Sequence, residues 1–224
     1  AFGKGEGTCH LFLSHTHWDH IQGFPFFLPA FVAGNRIHVY SSEADIAERL
    51  SLQQDNRFFP VPLDAMKAQL DFVSLTEGET VRIGDVHVSS MALNHPGGAF
   101  GYRAQQGDKA VVYATDTEFM NPDSAETARY VSFFSQANVL IFDSQYTLAE
   151  AFQKEEWGHS SSLKGVDLAA EAHVDTLVLF HHEPTYDDET LWDIRQRTAT
   201  YAKLQGKKGT PKVVMAYEDL ELVL

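Results

Sequence analysis

Three imidazoles and one carboxylate fall within six residues, His15-Thr16-His17-Trp18-Asp19-His20, directly after the run Leu11-Phe12-Leu13-Ser14. Neutral imidazole is the commonest protein metal ligand, and mixed imidazole and carboxylate sets suit zinc or a similar divalent ion. A catalytic zinc usually keeps three protein ligands and one open position. Four donors in one run are therefore too many for a single catalytic ion and suggest two. In extended backbone, residues two apart point the same way, so His15 and His17 can grip one ion together. Asp19 and His20 lie past a bend and can face a second.

Further donors recur downstream. His95, Asp116, Asp143 and His181 each stand at or just past the end of an apolar run: 86–93, 111–114, 139–142 and 177–180. Loops at strand ends are where layered α/β proteins build their sites, because a rigid sheet fixes their positions. In two-metal hydrolases the ions sit roughly 3.5–4 Å apart, and a carboxylate with two oxygens can lie between them. Asp116 is the candidate bridge. A hydroxide shared by the ions is the expected nucleophile, because coordination lowers the pKa of water to about 7.

The elements that must carry these residues follow from hydrophobic period and turn signals. Strands are expected at 10–14, 36–40, 80–83, 86–93, 100–105, 109–114, 139–142, 176–180, 213–216 and 220–224. Gly84-Asp85 reads as a tight hairpin turn. Helices are expected at 42–52, with Ser42 and Asp45 as the cap signature, and at 163–173 and 189–204. Residues 58–63, with two prolines, read as irregular. Mixed strands, hairpins and crossover helices indicate an α/β or α+β layered domain. The chain has 224 residues, and a single domain over 1–224 is the expectation.

Composition narrows the function. The net charge is −14, from 17 basic and 31 acidic residues. A long nucleic-acid track normally shows a basic stripe, so this balance disfavours one, as it does an anionic membrane surface. It leaves room for a small phosphate ligand held locally by metal ions. Cys9 is the only cysteine, which rules out an intramolecular disulfide and a thiolate-rich metal site and fits a reducing, cytoplasmic setting. No run approaches the ~18 apolar residues of a membrane span. The aromatic content permits a homodimer interface.

The hexad His15 to His20, followed by His95, Asp116 and His181 in that order, resembles the metallo-β-lactamase fold superfamily. The resemblance spans Leu11 to His181. It implies an αββα sandwich with a dinuclear site at one sheet edge. One ion would sit on His15, His17 and His95, a second on Asp19, His20 and His181, with Asp116 bridging and His181 rather than adjacent His182 as the ligand. The implied cofactor is two divalent metal ions, zinc first, with manganese or iron as alternatives that metal supply decides. Fourteen residues precede the hexad where the superfamily has strands and a hairpin, so the expectation is a first sheet short of strands, a shortened chain, or another segment in the strands' place.

Details narrow the branch. The main zinc β-lactamases carry cysteine where Asp116 stands, and the flavodiiron branch carries glutamate where His17 stands. Ile141-Phe142-Asp143-Ser144-Gln145-Tyr146 and Trp157-Gly158-His159-Ser160-Ser161 look like the paired segments of the ribonuclease Z branch. That likeness makes Asp19, Asp143 and His159 the candidate catalytic residues, with His159 as general acid oriented by Asp143. A carboxylate beside an imidazole fixes its tautomer and keeps a proton available for a leaving alkoxide. No long glycine- and lysine-rich arm of the kind ribonuclease Z uses on transfer RNA is present, which favours a small phosphodiester or cyclic nucleotide as substrate. Thioester or lactone hydrolysis is the alternative chemistry, and a non-catalytic metal-binding or interaction domain the alternative class. Gly23-Phe24-Pro25-Phe26-Phe27 is read as pocket wall or core, and Arg103 as a surface arginine.

Overall fold

The computed structural model describes residues 1–119, 123–205 and 209–224. It divides into two compact units, Ala1–Glu79 and Thr80–Leu224.

In the first unit, β1 (Thr8–Leu13), β2 (Arg36–Ser41) and β3 (Gln69–Ser74) form an all-parallel three-stranded sheet in that order. Its buried side chains include Leu13, Ile37, Val39 and, from the connections, Ala30, Ile46 and Leu50. Parallel strands need crossover connections. A short helix α1 (Trp18–Ile21) and 3-10 turns run from β1 to β2, and α2 (Ile46–Gln53) lies between β2 and β3. The helix expected at 42–52 begins only at Ile46. Neither expected residue caps it: Ser42 lies outside, and the Asp45 carboxylate takes Arg49 Nε at 2.8 Å rather than a backbone N–H. A charge-assisted partner outcompetes the cap here.

In the second unit a seven-stranded sheet runs in the order β10-β9-β8-β7-β6-β5-β4. Its strands are β4 (Thr80–Ile83), β5 (Val86–Leu93), β6 (Ala99–Gln106), β7 (Lys109–Ala114), β8 (Val139–Asp143), β9 (Thr176–Phe180) and β10 (Lys212–Met215). The first four form an antiparallel meander, and the Ile83↔Val86 pair closes the expected two-residue turn. From β7 to β10 every pairing is parallel. The crossovers are α3 (Ser124–Phe134), α4 (Leu148–Gln153) with α5 (Ser162–Glu171), and α6 (Asp188–Leu204). Strands β7, β8 and β9 are near-continuous apolar runs, the pattern of parallel strands covered on both faces. Their core partners include Tyr130, Phe134, Val166 and Ala169 from the helices.

Three helices and one strand escape the period-based reading: α1, α3, α4 and β3. Capping defines α3 and α4, with Asp123 Oδ1 accepting Glu126 N–H and Thr147 forming a reciprocal box with Glu150. The strand expected at 220–224 does not form. Leu220, Leu222 and Leu224 keep a period of two, but they line a hollow on the β7–β9 face with Val111, Ile141 and Val178 instead of pairing with an edge.

Candidate metal centre

The first unit supplies the contiguous donors. His15 lies two residues past β1 and is 2% exposed. His17 is the extended residue that precedes α1, with φ −62° and ψ 153°. Its ring stands edge-on to that of His15 at 4.5 Å, and the His20 ring lies 4.3 Å from His15. The adjacent side chains Asp19 and His20 approach each other at the start of α1, Asp19 Oδ2 lying 3.1 Å from His20 Nε2. The bend after the extended stretch, expected from the spacing, is α1 itself.

The second unit assembles the dispersed donors. Strands β5, β7, β8 and β9 all run in one direction, so their C-terminal ends share one edge of the sheet, the place where open α/β sheets build sites. His95, Asp116, Asp143 and His181 sit at those four ends, and His159 joins them from the loop before α5. Donor atoms of His95, Asp116 and His159 lie within 4.8 Å of one another, as do those of Asp143, His159 and His181. The His159 ring stacks on His181 at 4.8 Å and meets His95 edge-on at 5.0 Å. His181 Nε2 is 3.2 Å from Asp116 Oδ1, whereas His182 Nε2 turns to the Ala216 carbonyl at 3.4 Å. Burial pushes the His182 ring toward its neutral form. Asp116 and His181 both hold positive φ, 62° and 57°. Left-handed backbone at non-glycine residues persists only where surrounding structure fixes it, commonly at functional sites.

Asp143 is the hub. Fully buried, its Oδ2 accepts Asp116 N–H at 3.0 Å and meets His159 Nδ1 at 2.7 Å, while Oδ1 accepts Ser160 N–H at 3.0 Å and Gln145 N–H at 3.2 Å. The pairing leaves His159 Nε2 as the ring's outward nitrogen. Thr115 donates its hydroxyl to the second Asp116 oxygen. Tyr146 stands edge-on to His159, and burial followed by the carboxylates of Glu183 and Asp143 pushes its phenol up to about 12, so it stays protonated.

Sequence reasoning passed over the residues that lash these loops together. Glu118, 8% exposed, accepts Glu156 N–H and Gly158 N–H at 3.0 and 2.9 Å. The Gly158 carbonyl in turn lies 2.9 Å from His95 Nδ1 and fixes that ring, leaving Nε2 as its donor. Gly158 has φ +87°, and a Cβ there would fall 2.3 Å from His95 Nδ1. Ser160 Oγ donates to the Thr117 carbonyl and accepts Phe119 N–H. The only sequence signal was the glycine before His159. Arg103 lies on β6, where its guanidinium donates to the Phe133 carbonyl. Phe24 is core and Phe26 is exposed, so the aromatic run divides between the two roles.

Imidazole and carboxylate donors clustered in both units are the set a divalent ion of the zinc type takes. Comparison with known proteins agrees. The family model described as "Beta-lactamase superfamily domain" matches residues 6–182. Ribonuclease BN of Citrobacter koseri is 24% identical, over 84% of this chain and 79% of its own. The metallo-beta-lactamase fold protein YhfI from Bacillus subtilis superposes with a TM-score of 0.68 at 20% identity, covering 92% of this chain and 73% of that one. Human tRNase Z, short form, superposes with a TM-score of 0.63 at 17% identity, covering 94% and 77%. Among the described residues no helix is long and apolar enough to cross a membrane.

Proposed function

We propose a specific activity on one premise: this chain belongs to the beta-lactamase superfamily, with the metallo-β-lactamase fold of its ribonuclease Z-like branch, and is a metal-dependent hydrolase of the phosphodiesterase type. The proposed reaction is hydrolysis of small phosphodiesters, cyclic nucleotides among them. The two units act as one hydrolase domain. His15, His17 and His95 would hold one divalent ion and Asp19, His20 and His181 a second, with Asp116 a ligand common to both. The matched segment contains all seven residues, which supports their joint use. When bound, such ions neutralise charge on phosphoryl oxygens and make water acidic enough to react near neutral pH.

The chain's own residues do the rest. Asp143 holds the His159 Nδ1 proton and orients the ring, so that Nε2 faces the leaving oxygen and delivers a proton to it. Glu118 and the Gly158 carbonyl keep the His159 loop and the His95 ring in fixed relation. The single observation that carries the reading is the 2.7 Å contact from His159 to a carboxylate with no solvent exposure. A general acid matters most when the leaving group is poor. Replacing His159 by Ala is expected to slow an alkyl phosphodiester about 10²-fold more than a para-nitrophenyl one. Equal losses on both would remove the general-acid role. A panel of phosphodiesters, thioesters, lactones and a short RNA decides the substrate class. Turnover confined to RNA would favour the nucleic-acid substrate that the relatives' names carry and defeat the small-substrate reading.

A further inference from the structure

Five large apolar side chains of the first unit stand in solvent. Trp18 is 65% exposed, Phe26 68%, Leu28 75%, Leu52 57% and Phe58 66%. They come from three stretches: the start of α1, the 3-10 turns after it, and the end of α2 with the loop that follows. The fold joins these stretches. Trp18, Leu52 and Phe58 line one hollow of about 300 Å³. Phe59, the next residue, meets the Phe26 ring edge-on at 5.4 Å. Leu28 stands two residues past Phe26. The five therefore form one patch.

Scattered exposed apolar residues need no explanation, whereas a contiguous patch marks an interaction surface. An aromatic side chain that stays two-thirds exposed keeps roughly 100–150 Å² in water. With the two leucines the patch offers on the order of 600 Å² of apolar surface. A stable interface of standard size buries ~800 Å² per partner, about 60% of it apolar. The patch meets that need of roughly 500 Å² from its own side chains.

Charge selects the occupant. Among the described residues, Arg49 is the one charged side chain lining the hollow, and Glu43 and Asp45 each hold it at 2.8 Å. Arg57 lies beside Phe58, its guanidinium 5.6 Å from that ring's centre, and donates to the two Asp55 carboxylate oxygens at 2.7 and 3.1 Å. Both arginines are matched from within, so a strongly charged partner finds no counter-charge in them. The chain as a whole carries −14, so two copies repel each other over most of their surfaces. They are opposed least where the surface is apolar and its cations are already paired. Such a patch also complements itself, the condition for a two-fold interface in which one surface meets its own copy.

We propose that this patch is the face through which two copies of the chain associate about a two-fold axis, with Trp18, Phe26 and Phe58 as anchors. The inference does not depend on the reaction the chain catalyses.

The test is sedimentation equilibrium of the zinc-loaded full chain. Twice the chain mass is expected at about 50 µM. Leu52→Asp and Phe58→Asp, each placing a charge in the interface, are expected to weaken association about 100-fold. Leu204→Asp, at an 80% exposed leucine on α6 outside the patch, is expected to leave it unchanged. Hydrogen exchange of the parent chain needs no variant: protection over 18–28 and 49–58 is expected to rise with concentration. A parent chain that stays single at that concentration overturns the assignment. So does a dimer that survives both aspartates, or protection that rises only elsewhere. A single chain that co-sediments with phosphatidylcholine vesicles and loses this in Phe58→Asp would give the patch to a membrane surface and defeat the proposal.

Discussion

The two units build their donor sets in opposite ways. In the first, four donors lie within six residues, and one strand end followed by one helical turn arranges them. In the second, five donors span residues 95 to 181 and come from four strand ends and a loop. The first set is partly in solvent, with His17 and Asp19 exposed, while His15 is buried. The second set is held by buried partners, with Asp143 making four contacts and Glu118 two. Local geometry is robust to loss of a side chain, whereas geometry assembled at a sheet edge depends on every tie between loops. The contrast predicts that equivalent-looking substitutions in the two sets will differ in what they do to the metal-free fold.

The largest effect is expected for Asp143→Ala. It strands the buried N–H groups of Asp116 and Ser160 and should cost the metal-free chain about 3 kcal/mol in urea unfolding, with kcat/KM lower by about 10³-fold. Unchanged unfolding would show that the hub is not structural. Gly158→Ala comes next. The added Cβ meets His95 at 2.3 Å in a backbone with φ +87°, so about 1–3 kcal/mol of strain and a 10–100-fold loss of metal affinity are expected by titration against a chelator. His17→Ala should shift metal-free stability by less than about 0.5 kcal/mol while lowering bound metal measured by elemental analysis. A large drop in metal-free stability for His17→Ala would erase the contrast.

The smallest effect concerns the first unit's sheet. Burial, then the charge on His38, pushes the His10 ring below its ordinary value of 6.5. His10 Nδ1 lies 3.0 Å from the Tyr40 hydroxyl, its ring stacks on His38 at 4.7 Å, and His38 itself pairs with Asp71 at 3.4 Å. A depressed folded value means that protons favour the unfolded chain. Stability from this site is therefore full above pH 6.5 and falls as acid titrates through the lower, folded value. Thermal midpoints measured across that window should drop for the parent and stay flatter for His10→Phe.

Much of the site was legible because its signals are local. The hexad announces itself by composition, and four of the five dispersed donors stand at the end of an apolar run that proved to be a strand, His159 being the exception. The hairpin at Gly84-Asp85 and the strands β4 and β5 were readable to the residue from turn chemistry and alternation. The failures are equally physical. The tail at 220–224 alternates like a strand, yet its leucines line a hollow on the sheet face and stay partly in solvent instead of pairing. Ser42 and Asp45 look like a helix start, but Arg49 takes the carboxylate that would have capped.

Glu118 and Gln53 show the deeper limit. Neither sits in a recognisable motif, and each matters only through groups far away in sequence: Gly158 for one, the Ile21 carbonyl for the other. The order of amino acids determined which donors exist, their types, and the strand ends that carry them, because these depend on composition and short-range period. Which ring nitrogen faces outward and which of His181 and His182 turns toward Asp116 were decided by tertiary structure. Those outcomes depend on hydrogen bonds between loops that only a folded sheet edge brings within 3 Å.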